Sequence, residues 1–226
     1  MSMQQKKKPT PHSSNILWLY DISLFQENVQ IEQNIPENTH WNMSIFSDFM
    51  RRKILSDYLK TSSSSLSFSI SKHGKPNLPS SYNLEFSVSH TKTYWTMILS
   101  RNGKIGIDIE QHKERKNMEK IIANYFHPKE YNQYKKFTTL SKKKDFFYYV
   151  WTRKEAHTKF LGEGLSYDIS SNCVIDNSLE DIEFLTTKIF SGEDELSVSI
   201  SRNKICNANK ISVKGNMKTG FLKFFT

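Results

Sequence analysis

Apolar positions along this chain recur with two different periods, and each change of period marks an element. After a polar, basic arm over residues 1–14 carrying Lys6-Lys7-Lys8, the run Ile16-Leu17-Trp18-Leu19-Tyr20 has strand character. From Ser47 to Leu59 the residues Phe49, Ile54, Leu55, Tyr58 and Leu59 recur at mixed three- and four-residue steps. That spacing predicts an amphipathic helix, and the polar run Thr61 to Ser65 marks its exit. Leu84 to His90 and Tyr94 to Leu99 read as strands. Asn102-Gly103 between Arg101 and Lys104 is a hairpin signal leading into a further strand over Gly106 to Glu110, which predicts a meander. A second helix begins near Ser141, runs through Tyr149 and Lys159 and closes at Gly162 as its C-cap; strands including Leu196 to Ile200 follow.

Helix followed by a few antiparallel strands thus occurs twice, and Leu196-Ser197-Val198-Ser199-Ile200 echoes Phe86-Ser87-Val88-Ser89-His90. The expected fold class is α+β: a pseudo-dimer of two similar α+β halves, each a helix packed on a small, mainly antiparallel sheet, with a cleft between them that the family resemblance given below makes the active site. The halves would cover residues 15–110 and 121–226, joined by a linker over 111–120.

Composition narrows the class. With 226 residues, 37% hydrophobic and 13% aromatic, the chain can bury one good core or two small ones. No apolar run approaches the roughly 20 residues that span a bilayer, and residues 1–14 lack the apolar stretch of a secretory signal, so no membrane association and a cytoplasmic location are expected. Cys173 and Cys206 stand in no metal-ligand spacing and are expected to be reduced thiols. The net charge of +9 calls for an acidic partner. Nucleic acid is one class of such partner, but no recognised nucleic-acid module is present, and Lys6-Lys7-Lys8 and Lys142-Lys143-Lys144 are isolated runs, so no nucleic acid is expected.

The chemistry lies in two segments. In Gly106-Ile107-Asp108-Ile109-Glu110, read as a strand, the isoleucines take one face and Gly106, Asp108 and Glu110 the other. The two acids are then roughly 7 Å apart at Cα, close enough to converge on one hard cation. In the helix, Trp151, Glu155 and Lys159 fall at i, i+4 and i+8 along one stripe, offering a third carboxylate beside a cation. Three acidic oxygens suit Mg²⁺, which completes its shell with water and substrate phosphate. Spacing alone leaves two readings open: a metal site, or a solvated strand face and an ordinary helix ion pair.

The two segments resemble the signature motifs G-x-D-x-E and W-[ST]-x-K-E-A-x-x-K of the Sfp-type (group II) 4'-phosphopantetheinyl transferases, in that order and about 40 residues apart. Gly74-Lys75-Pro76 resembles the family's G-K-P loop, and Phe86-Ser87-Val88-Ser89-His90 its F-N-x-S-H strand end, with Ser87 for the more usual Asn. Gly162-Glu163-Gly164-Leu165 completes its K-x-x-G-x-G-L run, and Tyr125 to Tyr131 resembles the stretch between the motifs. The likeness covers roughly Arg51 to Ser166.

The resemblance implies attack by a serine of an acyl or peptidyl carrier protein on the β-phosphorus of coenzyme A, releasing 3',5'-ADP, with Mg²⁺ as cofactor and Mn²⁺ as an alternative. It implies Asp108, Glu110 and Glu155 as metal ligands. Asp108, Glu155 and Lys159 become the catalytic set, with Glu155 a candidate to accept the serine proton directly or through a water. Coenzyme A would be bound by Gly74, Lys75, Pro76, Ser89, His90, Asp108, Lys154, Glu155 and Lys159, with Arg52 (or Arg51, the register being open) reaching the 3'-phosphate. Internal duplication favours a monomer, and the stretch from Tyr125 to Tyr134, which contains Lys129 and is followed by Lys135 and Lys136, is the expected carrier-docking surface.

Overall fold

The computed structural model describes residues 15–24, 42–164, 168–176, 179–204 and 211–217. The basic arm, Leu165 and Cys206 lie outside the described residues. The fold is mixed α+β. Its first sheet has the order β4-β5-β1-β9, built from β1 (Asn15–Asp21), β4 (Glu85–His90), β5 (Tyr94–Ser100) and β9 (Ile211–Gly215), with β9 parallel to β1. The second has the antiparallel order β6-β8-β7, from β6 (Ile105–Gln111), β7 (Ile182–Ser191) and β8 (Asp194–Asn203). Two-residue strands β2 (Ser69–Ile70) and β3 (Pro76–Asn77) form a small ribbon.

Alternation along the strands divides the core into layers. Trp95, Met97 and Leu99 of β5 pack with Phe46, Met50, Ile54 and Leu55 of α1 (Met43–Leu59). From the opposite face Leu17, Leu19 and Ile98 meet Ile105, Ile107 and Ile109 of β6 and Val198 and Ile200 of β8, so the two sheets pack face to face. The helix α4 (Leu140–Leu161) covers the outer face of the second sheet, and α2 (Met118–Tyr125) and α3 (Pro128–Lys135) join its flank through Ile122, Tyr134, Phe147 and Val150. The order is helix, sheet, sheet, helix.

Local signals placed the helices well. Helix α1 starts four residues before Ser47 because the Asn42 side chain accepts the Ile45 N–H at 2.9 Å. Gly162, at φ 79°, closes α4 as the sequence predicts, its N–H bonded to Thr158.

The hairpin expected at Asn102-Gly103 does not form. Both edges of β5 are already laddered, to β4 and to β1, so the chain crosses to the second sheet and β6 pairs with β8 instead. Toward β4, β6 has no backbone ladder; Ser87 Oγ accepts the Ile107 N–H at 3.1 Å and Ser89 Oγ the Ile109 N–H at 3.4 Å. The serine at position 87 therefore joins the two sheets. Cys173 is buried.

Candidate active site

The site begins at a glycine. A Cβ built on Gly106 would lie 2.0 Å from the Ala156 carbonyl oxygen and 2.5 Å from the Phe160 nitrogen, so the backbone of α4 rests directly on β6 at this point. Only a residue without a side chain permits that approach. It brings the polar face of β6 against the Trp151, Glu155 and Lys159 stripe.

Asp108 is buried. Its Oδ1 accepts from Lys159 Nζ at 2.7 Å and from Ser89 Oγ at 2.8 Å, and Lys159 also donates to Ser89 Oγ at 2.8 Å. Its Oδ2 is buried with no hydrogen-bond partner. Glu110 accepts from Trp151 Nε1 at 3.1 Å on one oxygen and from Arg115 Nη2 at 3.0 Å on the other. Burial, then the Asp108 charge, raises the Glu110 pKa against Arg115, Trp151 and Lys159. Glu155 is pushed up to about 7, first by burial and then by Asp108, with Lys159 opposing and Glu110 adding.

An orphaned acceptor and a carboxyl raised beside two acids are what a site short of positive charge looks like. Oxygen-only donors suit a hard divalent ion, so these residues fit Mg²⁺. The three carboxylates nonetheless do not bring ligand atoms within 4.8 Å of one another; among the described residues that holds for one trio, His112, Asp145 and Glu195. The reason at the first site is that Lys159 holds Asp108 while Trp151 and Arg115 hold Glu110. At the second trio an ammonium already bridges the acids, Lys188 Nζ lying 2.9 Å from Asp145 and 2.6 Å from Glu195.

Beside Glu155 and Lys159 opens a cavity of about 280 Å³, lined also by Gly74, Lys75, Pro76, Ser87 and Gly164. The G-K-P loop and the motif helix therefore share one hollow. Lys75 donates to the Lys159 carbonyl at 2.9 Å and the Ile105 carbonyl at 3.4 Å, tying the loop to the end of α4 and the start of β6; burial lowers its pKa. His90, at the exposed end of β4, lines a different cavity with Met43, Phe46 and Lys92, and its pKa is lowered, mainly by burial. Arg51 and Arg52 both bond Asp48 and lie over the Phe68 ring, at 4.7 and 5.0 Å, and Arg52 also donates to the Leu66 carbonyl at 2.9 Å. Neither lines the Lys75 cavity.

Lys154 needs correcting as a coenzyme A contact. Its side chain is 1% exposed, ion-paired at 2.9 Å with the fully buried Glu130, and its remaining donors reach the carbonyls of Ile169 and Asn172. It braces α4 against α3 and the loop before β7. In the expected docking stretch Tyr125 and Tyr131 are exposed, whereas Phe126, Glu130 and Tyr134 are buried.

Three partners of the site escaped sequence reasoning. Arg115 carries no motif signal, and Glu130 lies in the Tyr125 to Tyr131 stretch without any signal that it meets Lys154. The Trp151 bond to Glu110 was within reach, since Trp151 shares a stripe with Glu155.

Residues 104–211 match the family model of the 4'-phosphopantetheinyl transferase superfamily. The 4'-phosphopantetheinyl transferase ffp of Bacillus subtilis is 30% identical over 132 residues, 57% of this chain and 55% of that protein. HetI of Nostoc sp. is 31% identical over 118 residues, 51% and 49% respectively, and Sfp of Bacillus subtilis (strain 168) is 31% identical over 132 residues, 57% and 55%. The chain spans about half the length of the curated relatives it matches.

Proposed function

We propose, for a chain whose residues 104–211 match the 4'-phosphopantetheinyl transferase superfamily and which resembles its Sfp type, that it moves the phosphopantetheine group of coenzyme A onto a serine of an acyl or peptidyl carrier protein. The new bond joins the serine oxygen to the β-phosphorus; the pyrophosphate bridge breaks, and 3',5'-ADP leaves. The observation that carries the reading is Asp108, with one oxygen unpaired, beside a Glu155 poised near neutrality at the mouth of the Gly74-Lys75-Pro76 cavity.

Each residue has a task. Glu155, with a pKa of about 7, suits a general base for the serine proton, directly or through a water. Lys159 already donates to Asp108 and Ser89, and its ammonium turns to the pyrophosphate when substrate enters. Lys75 and Pro76 bind the nucleotide with Ser89 and His90, and Arg51 or Arg52 reaches the 3'-phosphate. Mg²⁺, or Mn²⁺ in its place, held by Asp108, Glu110 and Glu155, would neutralise the charge of the pyrophosphate. Residues 15–110 and 121–226 are taken as two similar halves. The protein is taken to act as a cytoplasmic monomer on an acidic carrier; among the described residues no helix is long and apolar enough to cross a membrane.

Intact mass spectrometry of a panel of apo carriers, incubated with the protein, Mg²⁺ and coenzyme A, tests the proposal. The expected result is a phosphopantetheine mass gain on at least one carrier, abolished by EDTA and by Asp108→Ala. Release of 3',5'-ADP without carrier modification would make the protein a phosphohydrolase, and modification undiminished in EDTA would remove the metal role.

A further inference from the structure

Every ligand-bearing acid of β6 arrives with a cation of its own. Lys159 Nζ lies 2.7 Å from Asp108, and Arg115 Nη2 lies 3.0 Å from Glu110. Arg115 sits in a built seat. Its Nε donates to Tyr148 Oη at 3.3 Å, its guanidinium lies 5.9 and 5.7 Å from the Phe147 and Tyr148 ring centres, and Tyr148 Oη is itself fixed by the Lys113 N–H and carbonyl, each at 2.9 Å. With Trp151 on the other oxygen, both oxygens of Glu110 carry a donor. The two cations differ in freedom: the Lys159 side chain is a flexible stem ending beside the cavity, whereas the planar fork of Arg115 is clamped between α4 and the 111–117 segment.

We infer that Arg115 and Lys159 are internal counter-cations that hold the β6 carboxylates against free metal, so that the site admits its divalent ion only together with a pyrophosphate group. The inference rests on the reading under Proposed function. A lone divalent ion entering here meets Asp108 and Glu110 each already paired with a cation, which leaves only Glu155 and the second Asp108 oxygen to attract it while Arg115 and Lys159 repel it. A pyrophosphate changes the balance, because it gives Lys159 new anionic partners and frees Asp108, while Arg115 stays in its seat. Arg115 is in this sense a positioning residue, setting how much of Glu110 is left for the metal. By linkage the coupling is reciprocal: whatever factor coenzyme A adds to metal affinity, the metal adds to coenzyme A affinity.

The test is Mn²⁺ binding to the full chain, followed by electron paramagnetic resonance with and without coenzyme A, in wild type, Arg115→Gln and Arg115→Lys. Wild type is expected to bind Mn²⁺ weakly alone and at least about tenfold more tightly with coenzyme A. Removing one unit of positive charge from beside the site, Arg115→Gln should bind Mn²⁺ roughly tenfold more tightly both alone and with coenzyme A, keeping the coupling that Lys159 carries, while Arg115→Lys should stay near wild type. Coupling in wild type is read without any variant, so a folding defect at position 115 cannot shelter the idea. Equal Mn²⁺ affinity with and without coenzyme A, or in wild type and Arg115→Gln, overturns it. If no saturable Mn²⁺ binding appears even with coenzyme A, the metal reading itself falls and takes this inference with it.

Discussion

Substituting Gly106 by alanine adds one methyl group at the place where β6 and α4 touch backbone to backbone. The added carbon would lie 2.0 Å from the Ala156 oxygen, and real contacts of this kind are essentially never under 3.0 Å, so strand and helix must part by at least their difference, 1.0 Å. Neither obstacle can rotate away, because the Ala156 oxygen and the Phe160 nitrogen are helix backbone. The same displacement, applied to the bonds bridging these elements, stretches Lys159–Asp108 from 2.7 Å and Trp151–Glu110 from 3.1 Å beyond hydrogen-bonding range. Overpacking of this kind costs about 1–3 kcal/mol, or a fall in Tm of about 2–12 °C for a chain of this size. A misplacement of about 1 Å between reacting groups costs on the order of a hundredfold in rate.

Activity should therefore fall much further than stability. The assay is carrier modification by intact mass spectrometry, with thermal unfolding on the same samples. Gly192→Ala, between β7 and β8 and away from the cavity, is the control: its Cβ meets nothing within 4 Å, but its φ is 58°, so it should cost about 1 kcal/mol of strain and leave kcat/KM nearly intact. A Gly106→Ala protein with wild-type kcat/KM and Tm would refute the idea that this contact sets the geometry of the site.

Lys154→Met should cost about 3–5 kcal/mol by leaving the Glu130 carboxylate buried and unpaired, and Lys154→Met with Glu130→Gln should recover much of it; urea unfolding reads both. Because Lys154 lies away from the cavity, KM for coenzyme A should be unchanged in the folded fraction. Glu155, raised from 4.5 to about 7, keeps its proton in the folded protein where the unfolded chain has lost it, so it contributes stability at acid pH that is lost as pH rises from about 4.5 to 7. The loss should amount to about 1–3 kcal/mol, be absent in Glu155→Gln and be visible in unfolding curves across that window; a wild-type profile parallel to the Gln variant would show that Glu155 is not raised. Steering of an acidic carrier predicts that its kcat/KM falls between about 50 and 500 mM salt, and falls further on charge reversal at Lys129, Lys135 and Lys136; kinetics indifferent to both would put the docking surface elsewhere.

What the sequence made legible is what short-range periodicity controls. The isoleucine and acid faces of β6 follow from a two-residue repeat and the end of α4 from the Gly162 cap, whereas its start, expected near Ser141, is set at Leu140 by the Thr139 side chain. Strand partnership is different in kind. Nothing near Asn102-Gly103 states that both edges of β5 are taken by β4 and β1, the latter more than seventy residues upstream, and nothing near Ile211 states that it will lie parallel to Asn15. Those choices are made by which apolar faces can close on one another, a property of the whole chain.

The Lys154 error has another origin, and the chain itself contained the correction. At about 100° per residue, Trp151, Glu155 and Lys159 drift only about 80° around the helix, whereas Lys154 is five residues from Lys159 and so about 140° away. It is about 100° from Glu155 and about 60° from Trp151, so a lysine there leaves the stripe on the Trp151 side, away from Lys159, and it is there that Glu130 meets it. Arg115 had no such phase to read. It lies in the segment between β6 and α2, outside any repeat, and reaches Glu110 only because Tyr148 and Phe147 of α4 form its seat. The groups that hold the motif residues in place are thus supplied by the fold that the motif anchors, and they become visible only once β6 and α4 have met at Gly106.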